Sequence, residues 1–205
     1  GIENGGWGWG TQLFDFENDG DYDLIMTNGW HIFNEPENKE LFATLSYFWR
    51  NDAGNMTPVL AEQFGLRDKG EGKGLLTFDY DRDGDLDVFI ANNGAAPVLY
   101  RNDQDEAHAW IQFRLQGERS NTRGIGARLQ VVPTAGSESQ VYELTGASHF
   151  CGQSEAVIHI GLGEQDGPVH SVQVAWPSGQ LQMLNELESG VRHLIEEPTV
   201  LDYQN

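Results

Sequence analysis

The chain has 205 residues, enough for one or two domains with a buried core. Its 25 glycines, 11% aromatic content and lack of long helical periodicity predict an all-β protein rich in turns. Twelve basic against 32 acidic residues give a formal charge of −20, which repels phosphate and so disfavours nucleic acid and anionic membranes, and no run approaches the ~18 apolar residues of a bilayer span.

The chain starts abruptly at Gly1, which reads as a mature terminus, a processed product or an excised fragment. In Gly5-Gly6-Trp7-Gly8-Trp9-Gly10, glycine-flanked indoles can either stack on sugars or pack beneath an adjoining strand. Asp15-Phe16-Glu17-Asn18-Asp19-Gly20-Asp21-Tyr22-Asp23 follows, and the pattern returns as Asp79-Tyr80-Asp81-Arg82-Asp83-Gly84-Asp85-Leu86-Asp87. Both copies carry acids at positions 1, 3, 5, 7 and 9 and glycine at 6. Five carboxylates so close repel one another unless a hard, oxygen-seeking cation sits among them, Ca2+ above all. Alternate side chains converge only if the backbone curls around one point. Glycine at 6 permits that bend and frees the position-7 carbonyl and the position-9 carboxylate to complete the shell. An EF-hand would need an acid at position 12, where Met26 and Ile90 stand, and helices on both sides.

Phe14 and Phe78 end incoming strands, and Leu24 to Thr27 and Val88 to Ala91 are short outgoing strands closed by Asn28-Gly29 and Asn92-Asn93-Gly94. Each loop therefore joins two antiparallel strands. Arg50-Asn51-Asp52 recurs as Arg101-Asn102-Asp103, each after an aromatic-rich strand, which extends the repeat. The first copy is the longer, with an insert placed within Trp30 to Leu45 that contains His31, Glu35, Pro36, Glu37 and Lys39. It is read either as a binding loop or as a tolerated surface insertion.

These loops, with their Phe-Asp-Phe/Tyr starts and Asn-Gly ends, resemble FG-GAP/VCBS repeats, the calcium-binding blades of integrin-type β-propellers, over roughly residues 5 to 105. The resemblance implies side-chain ligands at positions 1, 3, 5 and 9 and a carbonyl ligand at 7. That assigns Asp15, Glu17, Asp19, Asp21 and Asp23 to one Ca2+ and Asp79, Asp81, Asp83, Asp85 and Asp87 to a second. Glu17 is longer than the Asp or Asn usual at position 3, which puts altered geometry in the first site. Two bound ions would leave a charge of roughly −16.

From residue 106 the loop acids give way to alternating strands near 110–115, 127–132, 140–144, 156–160, 171–176, 180–184 and 192–195, with Pro177-Ser178-Gly179 as a tight turn. Seven short strands predict a small antiparallel β-sandwich. Arg119-Ser120-Asn121-Thr122-Arg123-Gly124-Ile125-Gly126-Ala127, His159-Ile160-Gly161-Leu162-Gly163 and Val174-Ala175-Trp176-Pro177-Ser178-Gly179 resemble, in order, three signatures of the ASPIC/UnbV domain. That domain typically follows FG-GAP repeats.

Catalytic patterns are weak. The six histidines form no compact metal-binding spacing, and His159 reads as a packed strand residue. Cys151 shares a strand face with His149 but lacks an orienting partner, and Ser154 lacks the nucleophile-elbow glycines. A lone cysteine forms no intramolecular disulfide, and multi-acid loops suit Ca2+-rich surroundings, so the expected location is extracellular or periplasmic.

The expected architecture is all-β: partial β-propeller-like blades with Ca2+-binding hairpin loops in residues 1–105, and a C-terminal antiparallel β-sandwich in 106–205. The expected function is a calcium-stabilised extracellular module for binding, adhesion or assembly, leaning away from an enzyme, with no catalytic residues assigned. A carbohydrate-active enzyme or carbohydrate-binding module on the propeller scaffold is the alternative. Expected partners are a protein, a glycan or further copies of the chain in an oligomer or filament, since two blades are too few to close a propeller of 4–8. That shortfall favours either a fragment of a longer protein or an assembling subunit.

Overall fold

The computed structural model describes residues 2, 5–29, 45–103, 108–146, 148–165 and 167–199. The insert expected between Trp30 and Leu45 falls almost wholly on residues 30–44, outside the described residues. Among the described residues the fold is all-β, with largely antiparallel sheets and one short 3-10 turn at Ala61–Phe64. The chain divides into two compact units: Gly1–Glu106 with Ser148–Ser154, and Ala107–Ala147 with Glu155–Asn205.

In the first unit, β1 (Gly8–Phe14), β2 (Asp23–Asn28), β3 (Tyr47–Asp52) and β4 (Asn55–Val59) form a four-stranded antiparallel sheet in chain order. A three-stranded sheet follows, β5 (Gly72–Phe78), β6 (Asp87–Asn92) and β7 (Val98–Tyr100), also in chain order. Each acidic loop connects the first two strands of its sheet. The last pairs before them are Phe14 with Asp23 and Phe78 with Asp87, so the two loops close at the same register.

Alternation decides which side chains face inward. Phe14, Ile25, Phe48, Leu75, Val88 and Ile90 join Phe16 and Leu86 from the loops in one apolar cluster. Phe16 makes edge contacts with Phe14, Phe48 and Phe64 at ring-centroid distances of 5.1 to 5.8 Å. Position 2 of the first loop is thereby anchored in the core, which restrains the carboxylates on either side of it. Across the two sheets, the Thr27 hydroxyl accepts from the Gly10 N–H at 2.9 Å and donates to the Gly72 carbonyl at 2.6 Å. A Cβ at Gly10 would sit 2.6 Å from Leu75 Cβ, so this approach of the two sheets needs glycine.

A two-stranded hairpin, β11 (Ser148–His149) and β12 (Gly152–Gln153), groups with this first unit, although the sequence division at residue 106 put it in the second half. It brings Phe150 against Trp9 with centroids 5.1 Å apart. Trp9 also donates to the Gly29 carbonyl at 2.6 Å and carries Lys73 Nζ over its ring at 3.4 Å. Trp9 is therefore committed to packing, whereas Trp7 stays 43% exposed.

The second unit holds seven strands among its described residues. One sheet has the order β10 (Gln140–Glu143), β9 (Arg128–Val132), β14 (Val169–Ala175), β15 (Leu181–Leu187); the other has β13 (Val157–Gly163), β8 (Ala109–Gln116), β16 (Arg192–Glu196). Inward residues of both sheets, among them Ile111, Phe113, Leu129, Val131, Ile160, Val172, Val174 and Trp176, make one core. One pairing departs from the antiparallel expectation: β16 runs parallel to β8, from Arg192 beside Gln112 to Glu196 beside Gln116. The reason is topological. The link after β15 crosses to the other sheet, and β16 enters along the free edge of β8 in the same direction.

Candidate metal centre: two acidic loops with one bonding pattern

At positions 5 and 9 the two loops repeat their hydrogen bonds as well as their sequence. At position 9, Asp23 accepts the N–H of Phe16 at 3.0 Å and of Asn51 at 2.8 Å; Asp87 accepts those of Tyr80 at 2.8 Å and Asn102 at 2.9 Å. At position 5, Asp19 accepts the N–H of Asp21 at 2.9 Å, and Asp83 that of Asp85 at 3.0 Å. Position 4 takes the left-handed conformation in both copies, with φ of 60° at Asn18 and 67° at Arg82. The glycine at 6 has φ of 94° and 100°, the bend that curls each loop.

The recurring Arg-Asn-Asp motif has a local role that sequence inspection did not supply. Its asparagine N–H holds the position-9 carboxylate, and its arginine faces the position-3 acid: Arg50 lies 2.5 Å from Glu17, and Arg101 3.8 Å from Asp81. The signal was present in the fixed order of loop, strand and motif, but its partners were not.

Among the described residues, Asp79, Asp81 and Asp87 each offer a carboxylate oxygen within 4.8 Å of the others. Three hard oxygen donors so close are the ligand chemistry of Ca2+ or Mg2+ rather than of a softer ion. The donor set fits the cation. Asp83 and Asp85 lie outside that group. The Asp85 carboxylate accepts from Asn18 Nδ2 at 3.0 Å, and that of Asp21, its counterpart, accepts from the Ala53 N–H at 2.8 Å. Position-7 carboxylates thus have bonding of their own, as a carbonyl-donating residue would. In the first loop, Asp15 accepts from the N–H groups of Asp19 and Gly20, while Glu17 is drawn toward Arg50. At position 12, Met26 lies in β2 and the fully buried Ile90 in β6, so neither place offers an EF-hand ligand.

Burial sets the electrostatics of five loop acids, Asp15, Glu17, Asp23, Asp83 and Asp87. Burial, reinforced by Asp19 and Asp23, raises the Asp15 carboxyl to about 7 despite hydrogen bonds from Gly20 and Asp19. Burial and then Asp23 raise Glu17 to about 7 against the pull of Arg50. Burial also raises Asp23 and Asp83, and takes Asp87 to about 6. Without a counter-ion these loops hold carboxylates in surroundings that disfavour their charge.

Asp87 is fully buried with two backbone donors on it. Asp87→Ala strands both N–H groups, and is expected to cost the first unit about 2–4 kcal/mol in urea unfolding even without added cation.

In the second unit the three sequence signatures converge on structure. Asn121 closes its loop by donating to the Ile125 carbonyl at 2.7 Å and accepting the Ile125 N–H at 2.9 Å. The Trp176–Gly179 turn is closed by the Gly179 N–H on the Trp176 carbonyl at 2.9 Å. Between them lies Glu197, which sequence reading missed. Its carboxylate accepts the N–H groups of Glu118, Arg119 and Ser120 at 2.7–2.8 Å and the hydroxyls of Ser120 at 3.0 Å and Ser178 at 2.5 Å. His159 packs in β13, with Nδ1 3.1 Å from Gln112 Nε2; burial and then Arg192 push it down to about 3, so it stays neutral at physiological pH. That is the packed histidine the strand pattern predicts.

Residues 117–201, most of them in this second unit, match the ASPIC and UnbV family. Similarity also extends beyond those residues. Cartilage acidic protein 1 of Homo sapiens is 25% identical over 185 residues, 89% of this chain and 27% of the human protein. The protein of the same name from Mus musculus is 26% identical over 170 residues, 82% of this chain and 25% of its own length. The chain thus spans about a quarter of the length of the curated relatives it matches. Among the described residues, no helix is long and apolar enough to cross a membrane.

Proposed function

We propose that the chain is a calcium-stabilised extracellular module for binding, adhesion or assembly, with one Ca2+ in each acidic loop. The observation that carries this reading is the cluster of Asp79, Asp81 and Asp87 oxygens within 4.8 Å, in a loop whose position-9 bonding is repeated by its twin. Asp79, Asp81, Asp83 and Asp87 would give side-chain oxygens and Asp85 its carbonyl; Asp15, Glu17, Asp19, Asp23 and the Asp21 carbonyl would do the same in the first loop. Bound Ca2+ supplies positive charge that neutralises the carboxylates and cross-links each hairpin.

The antiparallel chain-order sheets β1–β4 and β5–β7 support the further reading that each is an FG-GAP/VCBS-type blade. An extracellular setting is supported by the Ca2+ supply that such loops need and by relatives that carry the name cartilage acidic protein. Blade loops and sheet edges would meet the protein, glycan or sister-chain partner.

Calorimetric melting of the intact chain tests the reading. Ca2+ is expected to raise the transition of the loop-bearing unit by on the order of 10 °C over chelated buffer. A melt indifferent to chelation would remove the calcium claim. Particle size in solution addresses assembly separately: rings or filaments in Ca2+ are expected, and a compact monomer with and without it would overturn that part.

A further inference from the structure

Two side-chain amides link the two repeats at their acidic loops. Asn18, at position 4 of the first loop, donates Nδ2 to the Gly84 carbonyl at 3.1 Å and to Asp85 Oδ1 at 3.0 Å. Asn102, in the second Arg-Asn-Asp motif, donates Nδ2 to the Phe16 carbonyl at 3.0 Å. Both asparagines are buried, at 2% and 8% exposure, so water competes little for these bonds.

The backbone groups at the ends of these links hold candidate ligands. The Asn102 N–H donates to Asp87 Oδ1, and the Phe16 N–H donates to Asp23 Oδ2. Three hydrogen bonds therefore connect the position-9 carboxylates of the two loops: Asp87 to Asn102, Asn102 to Phe16, Phe16 to Asp23. This crossing is not an automatic product of the repeat. In the first copy, the Asn51 side chain accepts from the Gly54 N–H and closes its own turn. Position 4 of the second loop is Arg82, which offers no counterpart amide. The cross-links thus come from residues that differ in role or identity between the two copies.

From this we infer that the two loops are one coupled cation-binding unit, in which filling either raises the affinity of the other through Asn18 and Asn102. The inference rests on the calcium reading above. A cation that fixes Asp87 also fixes the Asn102 backbone, and with it the amide on Phe16. Phe16 then presents its N–H to Asp23 with less ordering left to be done when the second ion arrives. Repulsion between the two ions opposes this coupling, and is weakened at physiological salt, where the Debye length is about 8 Å.

The test is a thermodynamic cycle, read by calorimetric Ca2+ titration of the intact, divalent-stripped chain at about 0.15 M salt. Asp83→Ala disables the second loop. It is expected to lower the Ca2+ affinity of the first loop about fivefold, the low end of measured couplings, because each link is a neutral hydrogen bond. In an Asn102→Ala background the same substitution should have a clearly smaller effect on the first loop, since only the Asn18 links remain. Asn18→Gly, which keeps the freedom for φ of 60° that this position needs, should at least halve the coupling and serves if Asn102→Ala fails to fold. A first loop indifferent to Asp83→Ala in the otherwise native chain overturns the coupling alone, as does a fivefold effect that survives in both asparagine backgrounds. Absence of Ca2+ binding to either loop overturns the calcium reading and the coupling with it.

Discussion

Glu197→Ala is expected to destabilise the second unit by about 3 kcal/mol at neutral pH, far more than one residue at the end of an edge strand ordinarily would. Glu197 is only 3% exposed and receives three backbone N–H groups and two hydroxyls. Burial alone would raise its pKa. The hydrogen bonds from Ser178, Ser120, Glu118 and Arg119 outweigh burial and hold it at about 2, against an ordinary 4.5. A depressed folded-state pKa gives stability that is complete above about 4.5 and is lost as pH falls toward 2. The native chain should therefore lose stability over that window while Glu197→Ala changes much less, so the gap between them narrows. Glu197→Gln keeps the shape but places an amide N–H2 among five donors, and is expected to recover less than half of the loss. Urea unfolding at pH 7, 4 and 2.5 reads all three. A gap independent of pH would show that the carboxylate is not charged in the folded chain.

The acidic loops were legible because their information is local. Carboxylate spacing, the glycine at 6 and the apolar runs on each side all lie within a few residues, and the strands formed where those runs predicted them. What stayed hidden depends on contacts distant in sequence. Glu197 finds its backbone donors 77 to 79 residues away, and no pattern around it distinguishes it from a solvated strand end. The parallel placement of β16 was equally illegible. Alternation identifies a strand and its inward face, but not which sheet edge it takes when the preceding link changes sheets. The hairpin at Ser148–Gln153 illustrates the same limit, since Phe150 packs against a tryptophan near the other end of the chain. The cross-links of Asn18 and Asn102 fall between these cases. Both residues sit in readable motifs, yet only the approach of the two loops reveals what their amides reach.

In chelated buffer the first unit is expected to melt higher at pH 5 than at pH 7.5, opposite to the trend Glu197 imposes on the second. Asp15 and Glu17 titrate at about 7 and Asp87 at about 6 in the folded, cation-free chain, against ordinary values of 3.8 to 4.5. The dominant cause in each is burial, and neighbouring acids add to it. Between about pH 4 and pH 7 the folded state therefore binds more protons than the unfolded state, and stability falls as pH rises through that window. The three groups share one field and do not contribute independently, so the combined loss is about 2–3 kcal/mol, or on the order of 5–10 °C. Ca2+ competes for the same oxygens, so its affinity should climb over this window and its uptake should release protons. With saturating Ca2+, the order of the two melting temperatures is expected to reverse. Titrations in two buffers of different ionisation enthalpy at pH 6 count the protons released. A chelated first unit that instead gains stability from pH 5 to 7.5 would mean that its loops relax enough to solvate their carboxylates, and the electrostatic need for a cation would disappear with that strain.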